Sequence, residues 1–138
     1  MKSKVIYFGV FIFYNEYSKL AILKLLQDNN VKLPKGWKLY NHHMTIAFNN
    51  GSTEFDNLYN KYKDGFGQNV RLKIDGIGVS DDAIAVRVNW KYPIANKIPH
   101  ITVATPPDGK PVNSNKITNW FDLKEPITIY GKLGHFAK

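Results

Sequence analysis

Two histidines stand in matching five-residue phrases, His43-Met44-Thr45-Ile46-Ala47 and His100-Ile101-Thr102-Val103-Ala104. Each phrase reads His, apolar, Thr, apolar, Ala. Successive side chains of an extended strand point to opposite faces, so each phrase turns its His and Thr one way and its apolar pair the other. Two imidazoles presented from two strands, each with a hydroxyl two residues on, are what acid–base chemistry at a phosphate requires. One ring takes a proton from the attacking oxygen and the other gives one to the departing oxygen. The Thr hydroxyls donate to the nonbridging oxygens and hold the phosphorus between the rings. A single His-x-Thr is common on the wet face of a sheet. Two of only four histidines in one repeated context form a far more specific signal.

The other histidines fit this pattern less well. His42 precedes His43 and, on strand alternation, points to the opposite face, as a buried or edge histidine with a local partner. His135 lies near the end of the last apolar run and reads as structural. Neighbouring strand residues diverge, so His42 and His43 are awkward co-ligands, and no His-Glu-x-x-His pattern exists. The absence of cysteine excludes a disulfide framework, a thiolate zinc site and a cysteine nucleophile. No metal or other cofactor is expected. Tyr7, Tyr14, Tyr40, Trp90 and Tyr130 are candidates to stack on a nucleobase. Tyr14 and Tyr130 are favoured, because they fall near the ends of the first and last strands, where a groove rim would lie. Lys110 and Lys132 are candidate phosphate contacts. Gly65-Phe66-Gly67 has no phosphate-loop pattern.

The elements that must carry these residues follow from composition and punctuation. Val5 to Phe13 is β-branched and aromatic, the composition of a central strand. Lys2 and Lys4 before it imitate a secretory leader, but no small-residue cleavage site follows and the run is too short to span a bilayer. Lys19 to Gln27 predicts a helix capped by Ser18, and a second helix lies within Thr53 to Tyr62. The first histidine strand covers His42 to Phe48 and stops at Asn49-Asn50-Gly51. Asn69 to Val79 and Ala83 to Asn89 read as a hairpin. Pro93 and Pro99 bracket a loop before the second histidine strand, which runs to Thr105 and ends in Pro106-Pro107-Asp108-Gly109. A short helix from Ser114 through Trp120 and a last strand from Ile127 to Phe136 complete the chain.

With 138 residues and 43% hydrophobic content, residues 1–138 form one globular domain. The net charge of +8 comes mostly from dispersed lysine, a field that attracts anions without forming a nucleic-acid stripe. The 57-residue spacing of the phrases is about half of the element sequence. An α+β fold of two pseudo-symmetric lobes, with antiparallel sheets lining a central groove, is therefore expected.

With the two phrases on those strands, the chain resembles the 2H phosphoesterase superfamily, named for paired His-x-Thr or His-x-Ser signatures, over most of its length. Pro99 to Ile117, with Gly109-Lys110-Pro111-Val112 and Ser114-Asn115, is similar to the fungal tRNA-ligase type and to phage RNA-repair-like members. The resemblance implies the two-lobed fold, His43 and His100 as acid and base, and Thr45 and Thr102 as phosphate ligands. It also implies a metal-independent phosphodiesterase. The substrate would be a 2′,3′-cyclic phosphate on RNA ends or nucleotides, or a cyclic oligonucleotide alarm of the kind phage enzymes destroy. The competing reading is a module that binds RNA ends or a cyclic nucleotide without turnover. Neither reading calls for a membrane or an obligate protein partner, and a cytoplasmic setting, the host's if the source is viral, is expected.

Overall fold

The computed structural model describes residues 4–12 and 15–137. The β-branched run at the start forms β1 (Val5–Phe11), and α1 (Glu16–Asp28) follows. The α1 cap is Asn15, whose side chain accepts from the Ser18 N–H at 3.0 Å. Ser18, expected as the cap, is instead buried inside the first turn. Its hydroxyl donates to the Tyr130 carbonyl at 2.9 Å and accepts from the Tyr130 N–H at 2.8 Å, tying the helix to the last strand.

Then come β2 (Lys38–Leu39), β3 (His43–Phe48) and α2 (Thr53–Tyr62), the last capped by the Ser52 hydroxyl. A single 3-10 turn at Lys63–Gly65 leads to β4 (Asn69–Val79) and β5 (Ile84–Val88). β6 (His100–Thr105), a 3-10 segment at Pro111–Lys116 and the 18-residue β7 (Trp120–Ala137) close the chain. The helix expected from Ser114 to Trp120 is thus only that 3-10 segment, and β7 begins seven residues before the expected Ile127. Pro111 at its start and a run of Asn and Ser favour a tight turn over an α-helix.

All strand pairs are antiparallel, in the order β6-β3-β1-β7-β4-β5, and β5 pairs with β6 to close a six-stranded barrel. β2 lies on β6 beyond β3. This overturns the two-lobed, pseudo-twofold α+β expectation. The reason is β7, which pairs with β4 from Trp120 to Lys132 and with β1 from Lys132 to Ala137, so one strand runs through what would have been the division between lobes. Repeated phrases report local strand chemistry, and strand pairing decides whether the sheet splits or closes. Between the pairs Ile74–Ile127 and Gly76–Asp122, Asp75 alone faces four residues of β7, a bulge that houses Pro126 where no ladder donor is needed.

The apolar positions of both phrases behave as alternation requires. Met44, Ile46, Ile101 and Val103 are fully buried, in one cluster with Phe8 and Val10 of β1, Ile22, Leu25 and Leu26 of α1, and Phe55 and Leu58 of α2. β1 and β3 approach so closely that a Cβ on Gly9 would lie 2.0 Å from the Met44 carbonyl oxygen, at the point where the β1–β3 register shifts. Among the described residues no helix is long and apolar enough to cross a membrane.

Candidate active site

β3 and β6 meet at a single pair, Met44 with Ile101. In an antiparallel ladder, one pair fixes its neighbours, so His43 stands across from Thr102 and Thr45 across from His100. With the apolar partners turned into the core, the four polar side chains share the opposite face. There they line one pocket of about 350 Å³, together with Tyr7, Tyr40, His42, Phe48, Asn96, Lys110, Pro111, Val112 and Asn115.

His43 is positioned by stacking. Its ring lies 4.8 Å from that of Tyr7 at an interplanar angle of 20°, and 5.4 Å from Phe11. Phe11 sits beside it because β1 and β3 pair Phe11 with His43. Burial, followed by the neighbouring His42 and His100, pushes the His43 imidazole down to about 4.

His100 is positioned by a hydrogen bond. Its Nδ1 lies 2.7 Å from the Ile98 carbonyl oxygen, which can only accept, so Nδ1 carries the proton and Nε2 is left for chemistry. Only 8% of the residue is exposed. Burial lowers its pKa, and the bond to Ile98 opposes that shift. Ile98 is held by the loop from Pro93 to Pro99. This loop is pinned to β3 by the Ala95 N–H on the Ile46 carbonyl at 2.9 Å and by the Asn96 amide on the Thr45 carbonyl at 3.4 Å.

The two threonines differ. Thr45 makes no side-chain hydrogen bond among the described residues. The Thr102 hydroxyl donates to the Pro111 carbonyl at 3.1 Å and lies 2.8 Å from the hydroxyl of buried Ser114, so it also anchors the 111–116 segment that roofs the pocket.

His42 lies at this pocket and is exposed just before β3, with the Tyr40 ring 6.3 Å away as its local partner, and so shares the face of His43 where the opposite face was expected. The alternation argument fails because β3 begins only at His43 and Asn41 adopts φ 58°, a kink that redirects His42 just after it. Lys110 lines the pocket, and no carboxylate does so among the described residues. Tyr130 and Lys132 do not reach it. Both line a separate depression beside Glu16 and Asn69. Tyr14 lies outside the described residues. The aromatic lining comes from Tyr7 and Tyr40, two of the other candidates, and from Phe48, which with the loop residue Asn96 carried no sequence signal. Arg87 pairs with His100 across β5 and β6, yet is held by Asp75 at 2.8 Å and by Asp122. Among the described residues no three His, Asp or Glu side chains gather into a metal cage.

Residues 24–128 match the model of the fungal tRNA ligase phosphodiesterase domain. The chain belongs to that family. The matched segment contains both histidine phrases, the loop that holds His100 and the first half of β7. Among solved structures, the chain is similar to a fungal RNA kinase at 14% identity and a TM-score of 0.65. The likeness covers 96% of this chain and 45% of that one, so the domain spans somewhat under half of the fungal protein's length. At that identity the likeness establishes the shared fold. No curated protein matches the chain.

Proposed function

We propose that this domain is a metal-independent phosphodiesterase of the 2H type that opens 2′,3′-cyclic phosphates at RNA ends. The observation that carries the reading is the pocket itself, where two imidazoles and two threonines from paired strands converge within a chain of a phosphodiesterase family. The family match favours RNA ends over cyclic oligonucleotides.

The Nδ1–H of His100 is committed to Ile98, which leaves the Nε2 lone pair of the neutral ring as the base. It takes a proton from water as the oxygen attacks phosphorus. The bond from phosphorus to one ribose oxygen breaks, and His43 protonates that oxygen while the other keeps the phosphate as a monoester. His43 is held neutral by burial and by its two histidine neighbours. The anionic phosphate reverses that balance, so the acid is charged when substrate is present. Thr45 and Thr102 donate to the nonbridging oxygens, and Lys110 supplies positive charge at the rim. Tyr40 and Phe48 offer faces for the terminal base.

The test is turnover of 2′,3′-cyclic mononucleotides, 2′-5′ dinucleotides and cyclic di- and trinucleotides, with and without EDTA. Hydrolysis of the 2′,3′-cyclic substrate that survives chelator and is abolished by His43→Ala and by His100→Ala is expected. Turnover retained by either variant, or lost with EDTA, overturns the mechanism. Binding without hydrolysis makes the domain a recognition module, and hydrolysis confined to cyclic oligonucleotides moves the substrate class.

A further inference from the structure

His100 is a wall between two cavities. On its far side lies a second cavity of about 520 Å³, lined by Lys97, Lys116 and Trp120, which shares His100, Asn96 and Asn115 with the first. Building on the RNA-end reading above, we propose that this second cavity binds the penultimate nucleotide of the RNA strand. Its phosphate is taken by Lys97 and Lys116 and its base lies against Trp120.

Three observations carry the assignment. The cavities adjoin, with His100, Asn96 and Asn115 lining both, so a strand whose last phosphate sits between His43 and His100 has its preceding nucleotide next to this space. The charge is right, since Lys97 comes from the loop before β6 and Lys116 from the end of the 3-10 segment after it. Both lysines are exposed, neither makes an ion pair among the described residues, and no carboxylate lines the cavity. Trp120 is a fixed platform. Its Nε1–H donates to the Ile117 carbonyl at 3.0 Å, and its ring covers Gly78, where a Cβ would come within 2.6 Å of it. The ring centroid lies 6.4 Å from that of His100, and the residue is partly exposed. A rigid indole offers any base a stacking surface at little conformational cost. Recognition here is therefore by backbone charge and stacking, without base identity.

The test compares a 2′,3′-cyclic mononucleotide with a dinucleotide and a trinucleotide ending in the same cyclic phosphate. The dinucleotide is expected to show a kcat/KM roughly ten-fold or more above the mononucleotide, with little further gain for the trinucleotide. Its kcat/KM should fall with salt more steeply, by about 0.7 in the log–log slope for each phosphate contacted. In Lys97→Glu/Lys116→Glu the ratio of dinucleotide to mononucleotide kcat/KM should fall toward one, and Trp120→Phe should lower it partway. A wild-type ratio near one, or a double variant that keeps the wild-type ratio, overturns the subsite. Absence of mononucleotide and dinucleotide turnover alike overturns the phosphodiesterase reading instead.

Discussion

Nδ1 of His100 lies 2.7 Å from the carbonyl oxygen of Ile98, two residues upstream, and this contact decides which nitrogen of the ring is available to substrate. A local bond of this kind is present in either protonation state, so the ring keeps its orientation as it gains and loses a proton. Replacing His100 by Ala or by Gln should cost about 10²- to 10⁴-fold in kcat, the usual worth of one acid–base group, with the melting temperature as a control for folding. The pH profile of kcat/KM should be bell-shaped in the wild type and lose one limb in each single-histidine variant.

The stacked pair of Tyr7 and His43 leads to a second expectation. Tyr7→Leu removes the aromatic face that orients the imidazole and should lower kcat by about ten-fold with a smaller change in KM. Tyr7→Phe keeps the ring and should restore most of the rate. Equal losses in both variants would assign the role to the phenol hydroxyl instead.

Stability should depend on pH through the same histidines. His43 titrates near 4 in the folded protein against an ordinary 6.5, and the His100 pKa is lowered as well. Between those values the unfolded chain binds more protons than the folded one, so stability is present above about pH 6.5 and is lost as pH falls toward 4. His43 alone accounts for up to about 3 kcal/mol. Denaturation midpoints measured from pH 7.5 to 4.5 should fall in the wild type and fall less in His43→Gln. Parallel curves would refute the assignment.

Thr102 and Thr45 should separate under the same substitution. Thr102→Val strips the buried Ser114 hydroxyl of its partner and frees the Pro111 carbonyl, so about 1–3 kcal/mol of stability should be lost along with activity. Thr45→Val should lower activity with little change in melting temperature. Thr102→Ser should recover both properties.

Gly9 tests the barrel rather than the pocket. Gly9→Ala places a methyl group 2.0 Å from the Met44 carbonyl oxygen, forcing β1 away from β3. A loss of several kcal/mol is expected, at the upper end of what single substitutions cost. A melting temperature within a few degrees of wild type would show that the strands yield at little cost.

The facing of the two phrases was legible in the sequence because strand alternation is a local rule. Once two His-x-Thr phrases are extended, their apolar residues must be buried and their polar residues must share a face, and Met44, Ile46, Ile101 and Val103 are indeed fully buried. Helices near Lys19–Gln27 and within Thr53–Tyr62 were legible from propensity, although the first starts at Glu16 and takes its cap from Asn15 and not from Ser18. What only the tertiary structure decided was every relation between distant segments. The Met44–Ile101 pair sets His43 against Thr102, β5 closes on β6 to make a barrel where two lobes were expected, and Asn41 turns His42 into the pocket. The same holds for the aromatic lining, where Tyr7 and Phe48 stand in place of Tyr130. Which aromatics surround a phosphate depends on register and kinks that no residue's own pattern encodes, because the energy that sets them is shared between strands far apart in the chain.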